Sequence, residues 1–247
     1  MSMPLWVSET AAAFWAAADE PELFPRNLRR SIAHALPLTL VLLPQLRWAS
    51  VDTWLRNQHI LCGMSLRDRA LRACLVARYG HGCVFLDGTD PDDEQRFSLA
   101  HELAHFLRDY WHPRRVASER LGPEVLAVFD EGRPARYAER VHALLGRAPL
   151  GFDVHLMERT VAGHFASAAI DTAEHDADRL AFELLAPSAT VLQTADRYPP
   201  RQRRGLVEHQ LTSVYGLPAA PATHYAALLI PPSPQTDSLV HRLRLVR

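Results

Sequence analysis

Residues 96–106 read R-F-S-L-A-H-E-L-A-H-F, and this stretch decides how we interpret the rest of the chain. In an α-helix, residues four positions apart lie about one turn apart on the same face. His101 and His105 can therefore bind one metal ion together if the stretch is helical. Glu102 would then lie beside that metal, where its carboxylate can take a proton from water without being a ligand itself.

The residues before this stretch predict where its helix begins. Asp90 is a suitable N-cap, and Pro91 suits the first helical position because its fixed φ angle matches a helix. The acidic run 92–94 follows, where the helix dipole favours negative charge. Upstream, residues 82–88 read G-C-V-F-L-D-G, an apolar run between glycines that predicts a short β-strand.

A metal site of this kind needs a third protein ligand and an open position for water. Residues 173–187 read A-E-H-D-A-D-R-L-A-F-E-L-L-A-P, a second helical pattern that combines acidic residues with an apolar face. Glu174 and Asp178 share one side of this helix. One of them can bind the metal while the other accepts the N–H of a ligating histidine.

A long connection of 68 residues separates His105 from Glu174, and it contains rival ligands. Glu119 is close to the first motif in the chain, and His112 would lie on the His105 side if the first helix continued. Both are alternative third ligands. Residues 109–173 are predicted to form an insertion or lid, because long excursions near a site are often functional.

The composition predicts a soluble protein with a cytoplasmic location and no membrane partner. With 247 residues and 48% hydrophobic residues, the chain can bury a full core. A formal net charge of -1 gives no overall attraction to nucleic acid or to an anionic membrane. The most apolar run, residues 36–44, is far shorter than the roughly 20 residues that cross a bilayer, and no secretory signal is recognisable. Three cysteines without a C-x-x-C spacing predict reduced thiols.

The pattern of elements predicts an α+β fold that is mostly helical. Helices are predicted over residues 5–19, 27–36, 50–58, 66–78, 134–146 and 152–168, and strands over 38–43 and 82–88. Residues 1–190 are predicted to form the metal-binding domain with a small sheet. Residues 191–247 are predicted to form a small helical C-terminal region, in which two helices around Gly216 suggest a helix-turn-helix.

The motif at 96–106, the pattern E-x-x-A-D at 174–178 and L-L-A-P at 184–187 together resemble the ImmA/IrrE family of bacterial and phage metallopeptidases. That family's pattern runs approximately R-F-[ST]-x-A-H-E-x-G-H, then E-x-E-A-N-x-F-A-x-x-L-L-x-P. The resemblance covers about residues 95–187. Mild departures from the pattern occur at Ala104, Asp176, Asp178 and Leu180, and the connection between the two motifs is longer than the family would imply.

The resemblance implies a zincin-like metallopeptidase domain that holds one Zn²⁺, with Mn²⁺ as an alternative ion. Carried over by position, His101 and His105 are implied as ligands and Glu174 as the third ligand. Glu102 is implied as the general base. In gluzincins one acidic residue of the second helix binds the metal and another accepts the N–H of a ligating histidine, which implies the second role for Asp178.

The resemblance also implies a substrate and the way it binds. Zincin proteases place a strand edge beside the cleft and bind substrate along it, which implies this role for Val84, Phe85 and Leu86. The expected substrate is a helix-turn-helix repressor protein, cleaved at a specific site in a stress or mobile-element response.

The alternative belongs to another class: a non-catalytic DNA-binding or antitoxin-like regulator that keeps the zincin fold and acts through its C-terminal helices. DNA binding is less favoured, because the second of these helices offers few side chains suited to phosphates or base edges.

Overall fold

The computed structural model describes residues 3–19, 23–60, 67–130, 153–158 and 168–231. The helices in these ranges are α1 (Leu5–Ala18), α2 (Leu28–Ala35), α3 (Trp48–Asn57), α4 (Asp92–His105), α5 (His112–Leu121), α6 (Leu126–Asp130), α7 (Ala168–Leu185), α8 (Ser188–Ala195), α9 (Pro200–Ser213) and α10 (Ala219–Leu229). A π-helical segment, Phe106–Trp111, joins α4 to α5, and a 3₁₀ turn, Pro123–Val125, precedes α6. The strands are β1 (Leu38–Leu43), β2 (Leu71–Arg78), β3 (His81–Asp87) and β4 (Asp153–Glu158). A mostly helical chain with one small mixed sheet is compatible with the predicted α+β class, and the predicted helix over 134–146 lies outside the described residues.

The four strands form one sheet in the order β1-β3-β2-β4. Strand β3 runs parallel to β1 and antiparallel to β2, while β4 pairs antiparallel with β2. The prediction that Val84, Phe85 and Leu86 form an edge strand is therefore wrong, because β3 is hydrogen-bonded on both sides and all three side chains are fully buried. A continuous apolar run is typical of a strand covered on both faces. Within the described ranges, the edges of the sheet are β1 and β4.

Two segments that were predicted as helices form strands instead. Strand β2 lies within the predicted helix 66–78, and every side chain from Ala73 to Ala77 is buried. A strand buried on both faces shows no alternation that would distinguish it from a buried helix. Strand β4 lies within the predicted helix 152–168, and its pairing with distant β2 overrides its local pattern. Strand β4 lies within residues 109–173, and the interpretation of that range as an insertion or lid stays a prediction.

Helix α4 begins one residue later than predicted. Its first residue is Asp92, and Pro91 occupies the N-cap position instead of Asp90. No side chain caps this end. The acidic first turn of Asp92, Asp93 and Glu94 supplies the negative charge that a helix N-terminus favours.

Polar contacts fix the position of α4 relative to the sheet and to the C-terminal helices. Arg72 of β2 pairs with Glu94 at 2.8 Å. Two residues further along, Arg96 donates to the backbone carbonyl of Gly216, between α9 and α10, at 2.8 Å. These contacts hold the first turns of α4, and the two histidines lie near its other end.

One hydrophobic core continues from α4 through α7 into the C-terminal helices. The ring centroids of Phe97 and Phe182 are 5.6 Å apart, and Phe182 stacks on Tyr225 of α10 with centroids 4.5 Å apart. Helices α9 and α10 therefore contribute to the same core as the motif helix, and the predicted domain boundary at residue 190 stays a prediction. Among the helices that the structure describes, none has the length and apolar character needed to cross a membrane.

Candidate metal centre

Three side chains from two helices converge at one point. His101 and His105 lie one turn apart near the end of α4, and Glu174 lies in the first half of α7. The Nε2 atoms of the two histidines are 3.2 Å apart. Glu174 Oε2 lies 3.3 Å from Nε2 of His101, and Oε1 lies 3.7 Å from Nε2 of His105. The structure thus brings together the three residues that the resemblance implies as metal ligands.

Each histidine is held by a carboxylate on the other side of its ring. Nδ1 of His101 lies 2.9 Å from Oδ1 of Asp178, and Nδ1 of His105 lies 2.8 Å from Oδ2 of Asp109. An ionised carboxylate only accepts hydrogen bonds, so the proton belongs on Nδ1 and the lone pair on Nε2. Both lone pairs then face the same point, which is the tautomer and orientation that metal binding requires.

The donor set and its spacing fit a zinc ion. Two imidazole nitrogens and one carboxylate oxygen form a ligand set of catalytic zinc sites, which keep a fourth position open. With bonds of about 2.0–2.2 Å in tetrahedral geometry, neighbouring ligand atoms lie roughly 3.3–3.6 Å apart. The two Nε2 atoms are 3.2 Å apart, and each lies 3.3 or 3.7 Å from one of the two oxygens of Glu174, which is close to this spacing.

Glu102 lies on the same helix as the two histidines and is fully buried. It precedes His105 by three residues, so the two side chains are neighbours on the helix surface. Glu102 does not belong to the cluster of His101, His105 and Glu174. Its position therefore suits the predicted role in proton transfer and not ligation of the metal.

The π-helical segment continues the motif helix and carries Asp109. Its π character is seen at its end, where the backbone N–H of His112 donates to the carbonyl of Leu107, five residues earlier. Tyr110 anchors the segment to the sheet, because its hydroxyl accepts from the backbone N–H of Gly80 in the β2–β3 turn at 2.7 Å. The sheet thus supports the helical turn that holds His105 in place.

The two alternative third ligands lie outside the cluster. His112 is exposed at the start of α5, because the π segment breaks the helical register that would have placed it on the side of His105. Glu119 is exposed in the last turns of α5 and pairs with Arg115, which is exposed as well, at 3.6 Å. Neither residue belongs to the cluster of candidate ligands that the described chain contains.

Asp109 and Arg108 were missed in the sequence. A signal for Asp109 exists, since it follows His105 by four residues and such residues meet on a helix. No local pattern points to Arg108, whose guanidinium contacts Asp109 and the backbone carbonyl of Ala173 in α7. That contact joins two parts of the chain that are distant in sequence.

Comparison with known proteins identifies the segment that contains the motif helix. Residues 64–120 match the family model described as the IrrE N-terminal-like domain, Peptidase_M78. The match includes His101, Glu102 and His105 and ends before Glu174. No curated protein and no solved structure matches the chain. The match over residues 64–120 supports the predicted resemblance to the ImmA/IrrE family of metallopeptidases, and the matching family model describes a peptidase domain.

Proposed function

We propose that this chain is a zinc-dependent, site-specific endopeptidase. The observation that carries the proposal is the convergence of two histidine nitrogens and one carboxylate, with Nε2 atoms 3.2 Å apart and both Nδ1 atoms held by carboxylates. A helix that buried His101 and His105 only for packing would not need an acidic partner on each side of both rings. The family match to a peptidase domain supports the same assignment.

The residues of the site divide the work of amide hydrolysis. His101, His105 and Glu174 would hold a zinc ion, and the bound ion would supply Lewis acidity for amide hydrolysis. Glu102 accepts the proton from the attacking water and delivers it to the leaving amine. Its full burial keeps bulk water from competing for the carboxylate at this step.

Strand β4 is the element best placed to bind an extended substrate. Within the described residues it pairs only with β2, so its other edge carries the backbone groups that an added strand needs. Strand β4 also contacts α4, the helix of the metal ligands. We therefore assign substrate binding to the edge of β4 and not to Val84–Leu86, whose strand lies inside the sheet.

The proposed substrate is a helix-turn-helix repressor protein, as the family resemblance implies, cleaved in a stress or mobile-element response. We favour a protein partner over DNA because α10 turns its larger side chains into the core, including Tyr225 and Leu229. The exposed Thr223 on α10 donates to the carboxylate of Glu208, whose negative charge would repel a phosphate. The sequence-based alternative of a DNA-binding regulator gains no support from this surface.

The test first asks whether the gene beside this one encodes a small helix-turn-helix repressor, and if it does, uses that repressor as the substrate. Zinc-loaded protein should cut it at one site, detected as two fragments by intact-mass spectrometry. Glu102→Gln should retain one zinc per chain and lose cleavage, because the amide cannot accept the proton. Glu119→Gln is the matched control, an exposed acidic residue outside the cluster, and should cleave like the unmodified protein. Cleavage by Glu102→Gln at the original rate, or loss of its zinc, would contradict the assignment.

A further inference from the structure

Arg108 connects the two helices that carry the candidate ligands. Its Nη1 atom lies 3.2 Å from both carboxylate oxygens of Asp109, and one of these oxygens is the partner of His105 Nδ1. The same Nη1 donates to the backbone carbonyl of Ala173 at 3.0 Å. Ala173 immediately precedes Glu174 in α7.

The second nitrogen of the guanidinium extends this connection along α7. Nη2 of Arg108 lies 3.6 Å from Oδ2 of Asp176, two residues beyond Glu174. Arg108 therefore contacts α7 on both sides of Glu174, while it also contacts the carboxylate that orients His105. The side chain is only 21% exposed, so these contacts are partly shielded from water and from salt.

We infer that Arg108 is a positioning residue that sets the distance between His105 and Glu174, an inference that rests on the proposed function. The two residues are separated by a connection of 68 residues, so no local backbone geometry fixes their separation. A planar guanidinium with several fixed N–H directions can hold a carboxylate and a carbonyl at once. Arg108 acts on the metal through Asp109 and through the backbone beside Glu174, and it is not itself a ligand.

Charge gives Arg108 a second reason to occupy this position. The carboxylates of Asp109 and Asp176 both lie within 3.6 Å of the Arg108 guanidinium, and that of Glu174 lies 3.7 Å from His105, the histidine that Asp109 holds. Without a nearby cation they would repel one another before a metal binds. The guanidinium offsets this repulsion on the side of the cluster away from the histidine Nε2 atoms.

The experiment measures metal binding, so it needs no substrate. Zinc affinity is determined by competition with a chromophoric chelator for the full chain, Arg108→Ala, Arg108→Lys, Arg179→Ala and His101→Ala. Arg179 is the matched control, because it also contacts Asp176, at 3.4 Å, but within the described residues it forms no ion pair with Asp109 and no hydrogen bond with Ala173. Visible spectra of the Co²⁺-loaded proteins report the geometry of the ligands, which a purely structural defect elsewhere would not change.

Arg108→Ala should bind zinc at least about tenfold more weakly than the unmodified chain and should shift the Co²⁺ bands. Arg108→Lys should recover part of the affinity, because it keeps the charge but cannot make all the contacts at once. Arg179→Ala should stay within about twofold. If Arg108→Ala does not unfold cooperatively, Arg108→Lys takes its place, with an expected loss of at least about threefold.

Two results separate this inference from the proposed function. If the unmodified chain binds zinc, His101→Ala does not, and the Arg108 variants retain full affinity and an unchanged spectrum, the inference is wrong and the metal site stands. An equal loss in Arg179→Ala and Arg108→Ala also overturns the inference. If the unmodified chain does not bind zinc, or His101→Ala binds it equally well, the proposed function fails and the inference fails with it.

Discussion

Nδ1 of His105 lies 2.8 Å from Oδ2 of Asp109, across the point where the α-helix of the motif becomes a π-helix. His101 has the equivalent contact with Asp178, but from a different helix. The centre is therefore supported from two directions, one local and one across the fold. Removing a carboxylate that holds a ligating histidine usually lowers metal affinity about 10-fold to 100-fold.

We expect Asp109→Asn to weaken zinc binding by about tenfold or more, because a neutral amide is a weaker acceptor for the imidazole N–H. The measurement is a competition titration at constant pH. Asp171→Asn is the control: Asp171 lies on α7 and contacts His175 at 3.4 Å, outside the cluster. Equal zinc affinity in the Asp109 and Asp171 variants would show that the contact with His105 has no effect on the metal.

Gly82 of β3 leaves room for the first residue of the π segment. A Cβ at this position would lie 2.8 Å from Cε2 of Phe106, closer than two carbon atoms normally approach. Because Phe106 is fully buried and cannot move away easily, Gly82→Ala should lower the free energy of unfolding by about 1–3 kcal/mol.

Urea unfolding of Gly82→Ala should be compared with that of Gly88→Ala. At Gly88 the nearest atom to an added Cβ would be Cβ of Leu42 at 3.7 Å, an ordinary contact. The control should therefore stay within about 0.5 kcal/mol of the unmodified chain. A Gly82→Ala protein as stable as the Gly88 control would mean that the packing of Phe106 against β3 is looser than described.

We expect ionisation of Tyr225 to lower the stability of the fold at alkaline pH. Its hydroxyl donates to the carbonyl of Ala186 at 3.0 Å, and burial, together with the negative charge of Glu183, raises the pKa of the phenol well above its usual value. The phenol thus favours the folded state fully below the unfolded pKa of about 10, and this contribution is lost as pH rises through the higher folded pKa.

Tyr225→Phe should cost about 1 kcal/mol of stability at pH 8, because a buried hydrogen bond is lost while the ring still stacks on Phe182. Between about pH 10 and 11 the variant should lose less stability than the unmodified chain. Urea unfolding at pH 8 and again between about pH 10 and 11 measures both changes in stability. Tyr198→Phe is the control, because Tyr198 is exposed. If the free energy of unfolding fell equally with pH in the Tyr225 variant and in the unmodified chain, ionisation of Tyr225 would not contribute to the loss of stability.

The sequence predicted the centre well where the information was local. The helix of the motif was confirmed, and its two histidines face one point because a spacing of four residues specifies one face of a helix. Glu174 and Asp178, which lie beside the two histidines in the structure, were predicted because they also lie four residues apart and because the resemblance to the family continues to residue 187. The strand predicted over 82–88 was confirmed as β3 with a shift of one residue.

Features that depend on distant partners were not predictable in the same way. The interior position of β3 depends on β1 and β2 pairing on its two sides, which the apolar run alone did not reveal. Strand β2 resembled a helix because both of its faces are covered. The π segment, which excludes His112 from the cluster, contacts the distant Gly80 through Tyr110 and has no periodic signature in the sequence.

The most direct test of the central claim is the zinc content of the Glu174→Ala protein. After dialysis against metal-free buffer, elemental analysis should find one zinc per unmodified chain and a clear deficit in Glu174→Ala, because the ion loses one of its three protein ligands. Glu119→Ala should keep one zinc, since its carboxylate is exposed and paired with Arg115. One zinc per chain in Glu174→Ala, bound as tightly as in the unmodified protein, would contradict the account.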